Sequence, residues 1–283
     1  MSTATLLIHC PDQPGLVHAI TGFIYQNQGN VLHLDQHVDR EANIFFMRVE
    51  WVLDGFALQR DEIAPVFTPL ARQRQMNWTL HFSDEPKRVA LFVTKEGHCL
   101  YDLLSRHEAG ELPIEIPVIV SNHEYLRPAA DRFGIRFEHI PISSANKVAQ
   151  EHRQLQMLHE LKVDTVVLAR YMQIISPEFI SHFPHRILNI HHSFLPAFVG
   201  AKPYHQAHER GVKLIGATSH YVTSELDQGP IIHQDVTPVS HKDSASDMVR
   251  LGRDLEKIVL SQALWWHAQH KVLVYGNKTV VFA

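Results

Sequence analysis

A chain of 283 residues with a formal net charge of −4 and a pI near 6.6 has room for two hydrophobic cores and no surplus of positive charge for a polyanion. The absence of any Lys/Arg block argues against nucleic acid as a partner, and no run approaches the roughly 18 uninterrupted apolar residues of a membrane span. Two cysteines, Cys10 and Cys99, are too few for a disulfide framework, so a reducing, cytoplasmic setting is expected.

From the N-terminus, residues 4–9 read as a strand, turned by Pro11-Asp12-Gln13-Pro14-Gly15. Leu16, Ala19, Ile20, Phe23 and Ile24 then recur at helical spacing until Gly29-Asn30 stops the helix. Strands follow at 31–38 and 43–53, joined by a turn at 39–42. The second places Phe45, Met47, Val49, Trp51 and Leu53 on one face and Arg48 and Glu50 on the other. A helix through 56–76 and a strand at 77–82 complete the order βαββαβ, a ferredoxin-like domain over 1–83. The polar, proline-bearing residues 84–87 read as the linker.

From Arg88 the rhythm changes. Apolar strands at 89–94, 116–121, 136–140, 164–169 and 186–190 alternate with helices at 98–107, 124–133, 146–161 and 177–182. Such alternation predicts parallel βαβ units in a Rossmann-like, doubly wound α/β domain over 88–283, with ligands at the carboxyl ends of its strands. A strand at 213–223, an antiparallel return through 230–237, a long helix over 244–269 and a hairpin about Gly276-Asn277 finish the chain.

Asn189 and His191 lie two apart at the end of the 186–190 run and point the same way, because side chains alternate along a strand. The acidic turn Thr223-Ser224-Glu225-Leu226-Asp227-Gln228-Gly229-Pro230 falls between two strand-like runs and can return a carboxylate to the same sheet edge. An amide donor, an imidazole that exchanges protons near neutrality and a carboxylate that orients it suit chemistry on a carbonyl. On spacing alone, a strand cap beside an unrelated acidic turn is the simpler reading. The 22 histidines invite a metal through His191-His192, His205-x-x-His208 and His182-x-x-His185, but no ligand set completes any of these pairs and no metal is expected.

The wording Asn189-Ile190-His191-His192-Ser193-Phe194-Leu195-Pro196, followed by Leu226-Asp227-Gln228-Gly229-Pro230, resembles the formyltransferase-fold family that handles 10-formyltetrahydrofolate. Lys202-Pro203-Tyr204-His205, Gly216-Ala217-Thr218-Ser219-His220 and the closing Gly276-Asn277-Lys278-Thr279 narrow the likeness to the formyltetrahydrofolate deformylases, over nearly the whole chain. Asp12-Gln13-Pro14-Gly15-Leu16-Val17 with Gly29-Asn30 is similar to the ACT domain, a regulatory module that binds amino acids where two copies pair. Those residues serve equally as a plain turn and helix cap.

The resemblance implies hydrolysis of 10-formyltetrahydrofolate to tetrahydrofolate and formate, supplying formate for purine synthesis and balancing one-carbon pools. Folate is then a consumed substrate, and no cofactor is expected. Asn189, His191 and Asp227 would be catalytic, with His220 supporting Asp227; whether His191 activates water directly or through Asp227 stays open. Arg170, Tyr171, Met172, Gln173, Ile174 and Ile175 would hold one side of the pterin, and Ser224, Glu225 and Leu226 the other. The stretch 200–205 would cover the site as a loop, with Lys202 near a substrate carboxylate. Asp12, Gly15 and Asn30 would bind an amino-acid effector in a homo-oligomer.

Two rival functions are a formyl transferase to an amine and a folate- or amino-acid-binding regulatory protein without turnover. The loop Thr94-Lys95-Glu96-Gly97-His98-Cys99 has one glycine and a carboxylate where a nucleotide phosphate would want bare backbone N–H groups, which favours water as the acceptor, although Lys95 could still serve a phosphate.

Overall fold

The computed structural model describes residues 2–197 and 203–283. By internal packing the chain divides into two compact units: Met1–Pro86 with His270–Leu273 and Val280–Ala283, and Lys87–Gln269 with Val274–Thr279.

The first unit comprises strand β1 (Thr3–Pro11), helix α1 (Leu16–Gln26), β2 (Val31–Asp39), β3 (Ile44–Val52), α2 (Arg60–Gln73) and β4 (Asn77–Phe82). Its strands pair antiparallel in the order β2-β3-β1-β4, the expected ferredoxin-like arrangement. Strand alternation sends Phe45, Met47, Val49 and Trp51 into a core shared with Ile20 and Ile24 of α1 and Phe67 of α2. Gly15 caps α1 from the left-handed region, at φ 85°.

Helix α2 begins at Arg60 instead of residue 56. Gln59 and Glu62 form a capping box that fixes the first turn there, while Phe56 packs on Trp51 with ring centroids 5.6 Å apart. The other face of β3, which carries Arg48 and Glu50, is also covered. Arg48 is buried, donating from Nε to the His270 carbonyl at 3.0 Å and from a terminal nitrogen to Glu50 at 2.9 Å. His270 stacks on His81 at 3.6 Å. Leu7 and Phe46 leave this face half apolar, and the tail segments that cover it, read from sequence as part of the second domain, group with the first unit.

The second unit runs β5 (Lys87–Val93), α3 (His98–Glu108), β6 (Ile114–Ser121), α4 (Arg127–Arg132), β7 (Phe137–His139), α5 (Lys147–Glu160), β8 (Thr165–Leu168), α6 (Pro177–His182), β9 (Ile187–His191), α7 (Pro203–Arg210), β10 (Leu214–Tyr221), β11 (Ile231–Pro238) and α8 (Ala245–Ala268). The hairpin β12 (Val272–Tyr275) and β13 (Lys278–Val281) closes the chain. The large sheet has the order β11-β10-β9-β8-β5-β6-β7. Strands β5 to β9 are parallel, and β10 and β11 turn antiparallel.

Strand order reverses at β5, so a crevice opens at the carboxyl ends of β5 and β8. Thr94, just past β5, accepts a hydrogen bond on its hydroxyl from the Met172 N–H beyond β8, at 3.0 Å. Helix α8 starts with a capping box of Ser244 and Asp247 and is tied to the sheet by buried His267. The His267 ring meets the Tyr221 hydroxyl at 2.8 Å through Nδ1 and the Thr165 hydroxyl at 2.9 Å through Nε2. Among the described residues no helix is long and apolar enough to cross a membrane.

Candidate active site

Strand β9 carries Asn189 and His191 on one face, and antiparallel β10 sets His220 opposite Asn189 on that same face. The Asn189 side-chain nitrogen lies 3.2 Å from His220 Nε2. His220 Nδ1 faces the Tyr221 carbonyl at 3.0 Å, and a carbonyl only accepts, so Nδ1 carries the proton and Nε2 accepts from the amide. One Asn189 N–H is thereby anchored, and the second is left for a ligand.

The carboxylate reaches this group by an unexpected route. Tyr221 pairs with Leu188, so the chain leaves β10 beside the start of β9, away from the carboxyl edge to which the sequence pattern returns the carboxylate. The loop 222–230 then brings Asp227 back over the β9–β10 face, with its Oδ2 3.2 Å from His191 Nδ1 and its Oδ1 3.6 Å from His220 Nε2. Asp227 itself sits at φ 56°, a left-handed conformation that aspartate tolerates better than most residues. Gly229 makes the return possible: a Cβ there would lie 1.8 Å from the Tyr221 carbonyl oxygen. Gly229→Ala is therefore expected to push Asp227 out of place and lower kcat/KM about a hundredfold, the scale of a 1 Å misplacement; steady-state kinetics checks it.

The Asp227 carboxyl is held well below the usual carboxylate range by its hydrogen bond with His191, and the His220 ring, whenever protonated, adds to the effect. Because an ionised carboxylate only accepts, His191 Nδ1 must donate to it. That leaves the lone pair on His191 Nε2, which is buried and has no hydrogen-bond partner. Neighbouring His192, its ring centroid 5.1 Å from that of His191, is pushed down to about 4 by burial and by the Arg170 guanidinium, and stays neutral at ordinary pH.

These side chains border a cavity of about 650 Å³. One wall is the strand-end loop: Tyr171 and Ile175 are buried anchors, Met172 and Ile174 are 57 % and 63 % exposed, and Gln173 lies between. Ser224 and Leu226 line the opposite wall, with Val222 and Thr223. Glu225 does not line it; its side chain is exposed and its carbonyl accepts from the Thr223 hydroxyl at 3.1 Å. Arg170, at φ 64°, turns toward Glu256, its Nε 3.5 Å from a carboxylate oxygen. Lys202 lies outside the described residues, and where a covering loop was expected over 200–205 the chain is helical from Pro203 onward. In the other unit Asp12 and Asn30 have exposed side chains, and their backbones bond Asn43 and Val52 respectively.

Sequence reading missed the polar end of the cavity. Glu256 on α8 is 1 % exposed, takes the Tyr204 hydroxyl at 2.7 Å and the His98 Nε2 proton at 2.8 Å, and stands beside Arg170. Glu96 pairs with Arg253 at 2.7 Å on the same side. A signal was available, since Glu256 occupies a position on the buried face of α8, between Gly252 and Val259, where the helical period calls for an apolar residue. Ligand atoms of His98, Cys99 and Glu256 come within 4.8 Å of one another, a set suited to a metal. The Arg170 cation already faces that carboxylate, and burial pushes the Cys99 thiol well above its usual range, so the set is balanced by the chain's own residues.

The formyl transferase family model matches residues 87–264, and the ACT domain model matches residues 4–67. A formyltetrahydrofolate deformylase of Synechocystis sp. is 57 % identical over 281 residues, covering 99 % of both chains. The crystal structure of a formyltetrahydrofolate deformylase from Pseudomonas syringae pv. tomato superposes with a TM-score of 0.98 at 46 % identity, over 100 % of this chain and 95 % of that one. A glycinamide ribonucleotide transformylase 1 from Symbiobacterium toebii is similar at a TM-score of 0.67 and 31 % identity, covering 72 % of this chain and 98 % of its own. Identity of this order along both full lengths, with both domain models in the expected places, puts the chain in the formyltetrahydrofolate deformylase family.

Proposed function

We propose that this protein hydrolyses 10-formyltetrahydrofolate to tetrahydrofolate and formate, with Asn189, His191 and Asp227 carrying the chemistry. The observation that carries the reading is the buried, unpartnered Nε2 of His191, backed by ionised Asp227 and set beside a free Asn189 N–H in one cavity. Water attacks the formyl carbon and passes a proton to His191 Nε2. The carbonyl oxygen, now negative, takes the second Asn189 N–H, a contact that stabilises such a transition state by about 3 kcal/mol. Collapse breaks the bond to N10, and His191 returns its proton to that nitrogen. Asp227 holds the ring in this tautomer and stabilises the imidazolium; in this reading it does not itself deprotonate water. Folate is consumed, and no cofactor takes part.

The loop Arg170 to Ile175 and the wall at Ser224 and Leu226 are read as the pterin cradle. Their backbone groups and apolar side chains suit a flat ring with polar edges. A cytoplasmic enzyme of this kind would supply formate for purine synthesis and balance one-carbon pools. A homo-oligomer fits the edge strand β2, where Leu32 and Leu34 are 42 % and 40 % exposed, and an amino-acid effector would bind at Asp12, Gly15 and Asn30.

Incubation of chelator-treated protein with 10-formyltetrahydrofolate alone tests the reading. The expected result is equimolar tetrahydrofolate and formate; turnover that begins only when an amine is supplied would replace the hydrolase with a transferase.

A further inference from the structure

The cavity has two chemically different sides. The apolar cradle takes the pterin, so the second reactant must meet the formyl carbon from the polar side, where Glu96, Arg170, Arg253 and Glu256 stand. Every one of these charges is already matched. Glu96 pairs with Arg253, and Glu256 holds Arg170, the His98 N–H and the Tyr204 hydroxyl. Glu256 is 1 % exposed, with two hydrogen-bond donors on it and the Arg170 cation 3.5 Å away, so little of it is presented to an incoming N–H. Burial alone would raise the Glu256 pKa, yet His98, Arg170 and Tyr204 hold it lowered and the group ionised.

The closure is built into the helix. A Cβ at Gly252 would stand 2.1 Å from the Tyr204 ring, so the missing side chain is what lets tyrosine lie on α8 and reach Glu256 one turn on. The fold is shared with a glycinamide ribonucleotide transformylase. Fold alone therefore does not choose between water and an amine, and side chains near the formyl group must.

We propose that Glu256, closed off by Tyr204, Arg170 and His98, is the specificity-determining residue that reserves the acceptor side of the cavity for water. The proposal rests on the hydrolase reading above. Water needs only the His191 lone pair. A primary amine attacks the same carbon, with its nitrogen–carbon bond replacing the bond to N10 and its proton passing to N10, but it needs an acceptor to orient its N–H groups, and on this side Glu256 is buried and Glu96 is engaged by Arg253.

The test is the partition of product. Full-length wild type and an Arg170→Gly/Tyr204→Phe double variant receive 10-formyltetrahydrofolate with glycinamide as the amine, and the ratio of N-formylglycinamide to formate is read by mass spectrometry. Glycine suits the left-handed backbone at 170, and near-ultraviolet circular dichroism with folate binding verifies the fold. The expected result is a ratio about tenfold or more above wild type, whatever the total turnover, which falls back when Glu256→Leu is added to remove the acceptor. An unchanged ratio, a raised ratio that survives Glu256→Leu, or loss of all turnover in a folded, folate-binding variant would each overturn the proposal. Failure of wild type to release formate at all would instead remove the hydrolase reading.

Discussion

Asp227→Asn is expected to cut kcat by about 10³–10⁴-fold while the dissociation constant for the folate moves by less than about threefold. The substitution keeps the shape of the side chain and removes its charge. An amide nitrogen facing His191 would favour the tautomer with its proton on Nε2, and that atom is the one that must accept from water. Turnover would suffer through both the lost base and the unsupported imidazolium, whereas the pterin cradle at Tyr171 and Ile175 is untouched. An equal loss in binding and rate would refute the assigned role.

The same carboxylate makes a prediction about pH. Its folded pKa is depressed, so its contribution to stability is present above the unfolded carboxylate value of about 3.9 and is lost as pH falls through the folded value. The melting temperature of Asp227→Asn should therefore lie furthest below that of wild type at neutral pH, with the gap narrowing below about pH 4. A gap that widens on acidification would contradict the assignment.

Asn189→Ala is expected to lower kcat by about 10²–10³-fold, the cost of removing one oxyanion donor, with KM little changed. The donor acts on charge that exists only in the transition state, so ground-state binding has little to lose. His220 sets the orientation of the amide through its Nε2, and His220→Ala should reproduce part of the Asn189→Ala loss without exceeding it. Steady-state kinetics on the two single variants and the double variant checks this, because a shared cause makes the effects less than additive.

Much of this site was legible because it follows from strand periodicity. Asn189 and His191 share a face by alternation alone, and the sheet's parallel order followed from alternating apolar strands and helices. The path of Asp227 was not legible in detail. It depends on β10 running antiparallel and on Gly229 allowing a backbone approach that no local pattern announces. Helix α7 escaped because Pro203 follows a glycine-bearing stretch that reads as loop, and Tyr204 then acts on Glu256, 52 positions away, a separation beyond any periodic window. Arg48 marks a similar limit. Its side chain is held by the distant backbone of His270, a pairing 222 positions apart that strand alternation does not announce.

The claim that water attacks the formyl carbon, with His191 Nε2 taking its proton, is tested most directly by a single turnover in water labelled with heavy oxygen. Wild-type protein should release formate bearing one heavy oxygen atom from solvent, and His191→Ala should still bind the folate while releasing none on the same time scale. Formate without solvent oxygen, or His191→Ala turning over at the wild-type rate, would contradict the mechanism.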